Sequence, residues 1–275
     1  YCVFILLWST LVYDPLAHWV WGDGGWLAGH GDLDFAGGTV VHLSSGISAL
    51  VAAIIVGKRK GYPLERMFPH NLPMTLLGAG LLWFGWFGFN AGSALASNGN
   101  AALAFTTTQT AAAGGALSWM LAEWIKMGKP SALGAASGIV AGLVVITPAA
   151  GFVTPGSALI MGLMAGVVCY GGVLMKHKFG YDDSLDAFGV HGIGGAFGAI
   201  LTGVFATVGA AGLIAGNPGQ VLIKLVGVVA SGLYAAVVTA ILLLILKPIM
   251  GLRVSKEDEV MGLDQTAHHE SGYNF

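Results

Sequence analysis

The chain has 275 residues, of which 55% are hydrophobic and only 9% charged, and its formal net charge is −2. Soluble domains carry about 25% charged residues, so a water-solvated fold is excluded, and the absence of a large basic excess excludes a nucleic-acid-binding role. The 44 glycines sit inside long apolar runs, where membrane helices use small residues to let backbones approach, so they signal close helix packing.

Runs of about 20 apolar residues suffice to cross a bilayer. In chain order they are predicted at roughly 1–13 (continuing toward Trp21), 34–57, 73–95, 101–125, 132–148, 157–175, 186–207 and 221–246. This is an all-α, polytopic membrane helix bundle, with a membrane domain over 1–248 and a polar tail over 249–275. Lys58, Arg59, Lys60 and Arg66 share one connection; Lys126 and Lys129, then Lys176 and Lys178, then Lys247, Arg253 and Lys256 follow at alternate connections. The intervening connections, 14–33, 96–100, 149–156 and 208–220, contain no Lys or Arg. The positive-inside rule reads this alternation as eight crossings with the tail in the cytoplasm. Lys224 breaks the pattern near the outer end of the last span, where its ammonium is expected to snorkel to the interface.

Small residues recur four apart at Gly88 and Gly92, at Gly134, Gly138 and Gly142, at Gly162 and Gly166, and at Gly194 and Gly198. Lipid supplies no hydrophobic drive between helices, so these faces are expected to pack against other helices. Cys2 and Cys169 lie far apart in apolar segments and match no metal or disulfide spacing. No metal or other cofactor is expected.

An ionisable side chain inside a span is costly and marks function by default. His42 lies eight residues past Asp34 and His191 five past Asp186. The two segments, 34–42 and 186–192, resemble each other, and the positive-inside topology gives them opposite orientations. That is a mark of inverted-repeat transporters, whose sites lie near the midplane. Packed together, the two imidazoles can partner each other while staying neutral, and offer a small polar molecule both a donor and an acceptor. Asp34 is read chiefly as a helix cap, since Asp is a favoured N-cap, with a secondary electrostatic role. Asp186, with Asp182 and Asp183, is read as a cytoplasmic cap and loop anchor. Trp19, Trp21 and Trp26 form an aromatic outer loop that can anchor in the interface or attract a cation. The aromatic and glycine run of residues 83–93, with Ser93 at its end, suits a constriction.

Two histidines on different spans also suit a haem, although glycine-rich helices leave little room for a macrocycle. A sensor that binds its solute without moving it, and a channel for water or urea, are the further alternatives.

The segment from Asp34 to His42, Pro69-His70-Asn71-Leu72-Pro73, the Gly-Trp-Phe-Gly-Phe-Asn-Ala-Gly-Ser of residues 85–93 and Phe188-Gly189-Val190-His191-Gly192 resemble motifs of the Amt/Mep/Rh ammonium transporters. Gly251-Leu252-Arg253, Glu259, Gly262-Leu263-Asp264 and His268 resemble the tail of bacterial members; His269 departs from it, standing where glycine is usual. The resemblance implies a non-enzymatic ammonium or ammonia transporter of the cell (inner) membrane: a homotrimer of eleven-helix, inverted-repeat subunits, each with its own pore. It implies vestibule binding of ammonium at Trp21 and Ser93, a phenylalanine gate including Phe89, a pore aromatic at Trp86, pore-lining twin histidines at His42 and His191, and a structural aspartate at Asp34. It also implies a PII-type signalling protein as partner of the cytoplasmic face. Tyr1 corresponds to the family's fourth helix, so the first three helices and the gate's second ring are expected to lie upstream.

Overall fold

The structure is a computed structural model that describes residues 1–65 and 67–272; Arg66, placed with the basic connection, and the last three residues of the tail lie outside them. The described residues form helices and no strand.

The chain opens with α1 (Cys2–Trp8), a π-helical stretch (Ser9–Tyr13) and α2 (Asp14–Trp21), followed by the short α3 (Trp26–Gly29). A π-helical turn over Gly38–Leu43 runs directly into α4 (Ser44–Val56). Then come α5 (Leu72–Gly92), α6 (Gly99–Met127), α7 (Ala132–Ile146) and α8 (Pro155–Phe179). A second π-helical turn, Phe188–Gly192, runs into α9 (Ile193–Phe205); α10 (Gly219–Met250) and the tail helices α11 (Lys256–Met261) and α12 (Leu263–His268) close the chain. Every predicted span coincides with a helix. Six are long and apolar enough to cross a membrane: Cys2–Gly29, Gly38–Val56, Leu72–Gly92, Pro155–Phe179, Phe188–Phe205 and Gly219–Met250. Of the other two, α7 has only 15 residues, and α6 dilutes its apolar residues with threonines, Gln109, Glu123 and Lys126.

Local chemistry sets the helix starts. Asn71, Asn98, Ser131 and Thr154 each stand in extended backbone and accept a hydrogen bond from the first turn of α5, α6, α7 and α8 in turn, which satisfies donors that the helix itself cannot. Gly128 and Gly180 end α6 and α8 in left-handed backbone.

Packing follows the small residues, with one exception. α6 packs along both α7 and α8, and a Cβ on Gly138, Gly142, Gly162 or Gly166 would strike α6. Gly194 and Gly198 likewise close on α7 and α8. Gly88 and Gly92 on α5 have nothing within 4 Å of an added Cβ, so the expected packing face is not used within this chain. The main core is accordingly built from small and branched side chains, with Ala111, Ala112, Leu143, Val144, Val145 and Met161 fully buried. α10 packs against α4 and α9 instead, over a second core of Val12, Leu16, Val20, Leu27, Val40 and Ala235.

Lys224 does not snorkel. Its side chain is fully buried on α10 and its ammonium pairs with Asp32 at 2.8 Å. An acid in the distant 14–33 connection gives it a partner inside the protein, which a span-by-span reading does not reveal.

Candidate functional site

The two histidine segments are brought together by glycine. A Cβ on Gly46 of α4 would collide with the backbone nitrogen and Cα of Gly192, and would lie 2.8 Å from the His191 carbonyl carbon. Across the same crossing, a Cβ on Gly195 would lie 2.6 Å from the Leu43 nitrogen and 3.0 Å from the His42 Cβ. Only backbone without side chains can approach this closely, and the approach brings the two imidazoles edge to edge, their planes tilted by 36°. His42 Nδ1 and His191 Nδ1 are 3.1 Å apart, with ring centroids at 5.2 Å. Both histidines lie within π-helical turns, a rare geometry concentrated at functional positions.

Each of these turns begins with an aspartate eight residues before its histidine. The buried Asp34 carboxylate accepts from four backbone N–H groups: Gly37 and Gly38 on Oδ1, at 2.9 and 2.6 Å, and Thr39 and Val40 on Oδ2, at 2.8 and 3.2 Å. These bonds satisfy the first backbone donors of the Gly38–Leu43 turn. In the second segment the cap is Asp183, which accepts from the Ala187 and Phe188 nitrogens at 3.0 and 2.8 Å. Asp186 instead pairs with Lys176 at 2.5 Å from left-handed backbone, and Asp182 receives the Arg59 guanidinium at 2.7 Å. The sequence pairing of Asp186 with Asp34 is therefore corrected to Asp183 with Asp34. Counted from its own cap, His191 lies as deep as His42. The signal was available in the equal spacing of eight.

Around His42 the site is aromatic. Trp86 is buried and stacks on the imidazole, with centroids 5.2 Å apart and planes inclined by 14°, and Phe89 meets the same ring edge-on at 5.9 Å. Thr147, at the end of α7, was not singled out by the sequence. Its Oγ1 lies 3.3 Å from His42 Nε2, accepts from Trp86 Nε1 at 3.0 Å and donates to the Leu143 carbonyl at 2.7 Å. A threonine near a helix end bonding back to the carbonyl four residues earlier is common, so nothing in the pattern marked it.

This hydroxyl fixes the imidazole tautomers by proton accounting. Its one hydrogen goes to Leu143, so Thr147 can only accept from His42, and His42 carries its hydrogen on Nε2. His42 Nδ1 is then bare and must accept, which places the His191 hydrogen on Nδ1. His191 Nε2 is left as a free acceptor. His191 is partly exposed while His42 is 3% exposed, so the pair offers its acceptor from the more accessible ring.

Trp21 and Ser93 are held by their own surroundings rather than by each other. Trp21 is 43% exposed and its indole N–H donates to the Asp34 carbonyl at 2.7 Å, which fixes the ring while leaving it partly open to solvent. Ser93 donates its hydroxyl to the Phe89 carbonyl at 2.8 Å and keeps its lone pairs as acceptors.

At the end of the bundle that carries the tail, Arg253 grips Glu259 at 2.7 Å, and Glu259 accepts from the Lys60 nitrogen at 2.9 Å. A cavity of about 640 Å³ lies between the tail and the 56–67 connection. The Arg253 guanidinium and the Lys60 N–H hold Glu259 below the usual carboxylate range. For Asp182, burial works to raise the carboxyl, but hydrogen bonds from the Arg59 side chain and backbone outweigh it and hold the group low. Among the described residues no cluster of His, Cys, Asp or Glu has the arrangement of a metal site.

Membrane-length helices packed around a contacting imidazole pair define a polytopic, all-helical membrane protein. Residues 1–273 match the family model of the Ammonium Transporter Family, and the chain belongs to that family. It is 56% identical to an ammonium transporter of Aquifex aeolicus over 99% of this chain, and 52% identical to one of Bacillus subtilis over 99% of it. The crystal structure of Saccharomyces cerevisiae Mep2 is similar with a TM-score of 0.88 and 41% identity, over 93% of this chain. The chain spans 64% of the Aquifex protein, 68% of the Bacillus protein and 60% of the Mep2 chain.

Proposed function

We propose that the whole protein moves ammonium or ammonia across a membrane, and that the His42–His191 pair lines its path. The observation that carries this reading is the 3.1 Å contact between the two Nδ1 atoms, made at a crossing where glycine backbones touch. Family membership and the relatives named as ammonium transporters support it.

Substrate recruitment falls to Trp21 and Ser93. Ammonium is a compact cation with hydrogens to donate. An indole face attracts it by about 0.5–2 kcal/mol depending on desolvation, and the Ser93 oxygen accepts one of its hydrogens. Carrying the intact cation onward is unfavourable, because charge in a lipid-embedded interior costs at least about 2.5 kcal/mol even on the most permissive scales. Loss of a proton at the mouth removes that barrier. Neutral ammonia then passes Phe89, the gate ring, and meets the free acceptor on His191 Nε2, which takes one N–H. Trp86 walls the path beside His42, and Asp34 holds the His42 turn in place. The imidazole pair can also take part in a separate relay of the released proton.

The same reading puts residues 1–248 in the cell (inner) membrane and the 249–275 tail in the cytoplasm, following the alternation of Lys and Arg. The working assembly is a homotrimer, with a PII-type signalling protein docking at the tail end. Methylammonium uptake and current in the full-length protein carrying His191→Ala test the central claim. Both are expected to fall by about tenfold or more, as for loss of a positioned hydrogen-bonding group; unchanged transport would remove the pair from the mechanism.

A further inference from the structure

Between α3 and the His42 turn, residues 31–34 form an irregular strap. Two groups of the site hang from its end: the Asp34 carbonyl, which receives the Trp21 N–H, and the Asp34 carboxylate, which caps the His42 turn. The strap is held from α10. Gln220 Nε2 donates to the Gly31 carbonyl at 2.9 Å; one helical turn on, Lys224 Nζ donates to the Leu33 carbonyl at 2.8 Å and pairs with Asp32 Oδ1 at 2.8 Å. The side chains of Lys224 and Asp32 are both without solvent exposure. The lysine stem runs past Gly203, where a Cβ would lie 3.0 Å from its Cγ.

A buried ion pair is a poor device for stability alone, because an apolar side chain of similar volume avoids the desolvation of two charges. Such a pair is better suited to fixing one arrangement among several. Here it fixes a strap of four residues that lies outside any helix, and the last of them carries the carbonyl that accepts the indole N–H.

We propose that Lys224 is a positioning residue: from α10 it fixes the 31–34 strap and, through the Asp34 carbonyl, sets the orientation of the Trp21 ring for its cation. This rests on the reading of Trp21 as the ammonium-binding aromatic given above.

The test measures methylammonium uptake by the full-length protein, with KM and Vmax per folded protein determined separately. Lys224→Met alone leaves a buried carboxylate unpaired and is expected to lower the folded amount. Combining Lys224→Met with Asp32→Asn removes both charges and restores that amount, while KM stays raised by about threefold or more, the loss expected from a misaligned cation–π contact. Trp21→Leu is expected to raise KM by itself, and adding the double substitution to it is expected to raise KM no further. A wild-type KM in the double variant, or KM effects that multiply with those of Trp21→Leu, would overturn the proposal. Trp21→Leu leaving KM unchanged would instead overturn the reading of Trp21, and this inference with it; loss of folded protein with KM constant in every variant assigns Lys224 a purely structural role.

Discussion

Gly46→Ala should uncouple the two imidazoles without touching either. The new methyl group would meet backbone, not side chain: the Gly192 nitrogen and Cα, and the His191 carbonyl carbon at 2.8 Å. No rotamer change relieves such a clash. Ordinary carbon–carbon contact begins at about 3.5 Å, so the His191 carbonyl alone demands that the helices part by ~0.7 Å, and the nearer Gly192 atoms demand more. An Nδ1–Nδ1 distance of 3.1 Å then opens to about 4 Å, beyond hydrogen-bonding reach. Overpacking of this kind costs about 1–3 kcal/mol, which lowers the melting temperature in detergent without preventing folding. Methylammonium uptake, normalised to folded full-length protein, should fall about as far as in His191→Ala. Ser45→Ala is the control, since the Ser45 hydroxyl bonds only the His42 carbonyl of its own helix, and it should leave uptake within about twofold of wild type, as expected for a substitution away from such features. Wild-type uptake in a stably folded Gly46→Ala protein, or a crystal structure of it with the imidazoles still within 3.5 Å, would refute the reasoning.

The caps should rank by the donors they satisfy. Asp34→Ala strands four buried N–H groups and Asp183→Ala two, at about 1–3 kcal/mol per unsatisfied group before relaxation, so thermal stability should fall most for Asp34→Ala, less for Asp183→Ala and least for Asp186→Ala. Thr147→Val removes the acceptor shared by His42 Nε2 and Trp86 Nε1; uptake should drop, and Thr147→Ser, which keeps the hydroxyl, should retain most of it. The Arg59–Asp182 clasp should respond to acid: the Asp182 carboxyl is held below its ordinary value of 3.8, so its contribution is complete above that value and lost as pH falls through the depressed one. Amide exchange in residues 57–62 should therefore stay protected from neutrality down to about pH 4 and increase below it, whereas Arg59→Ala should be unprotected throughout; identical profiles would remove the clasp.

Much of the molecule is written in local pattern. Apolar run lengths located the long helices, because the bilayer's thickness imposes the same requirement on each span, but not the short α3 or the tail helices α11 and α12. The caps Asn71, Asn98, Ser131 and Thr154 are equally local, because a capping side chain acts on its own first turn. His42, His191, Trp86 and Phe89 were each legible as unusual in their spans, and Asp34 as a cap. What one dimension could not supply is which distant groups share a point in space. That His42 and His191 meet is decided at the Gly46–Gly192 crossing, where two backbones touch. Thr147 enters the site only because α7 ends beside that crossing, and its single hydroxyl hydrogen then dictates both tautomers. Lys224 looks like a snorkelling cation along its own helix, and becomes a buried latch only when tertiary folding brings Asp32 to it. Chain pattern determines which residues are helical and costly to bury; the packing of helices against one another decides which of those costs are offset, and by whom.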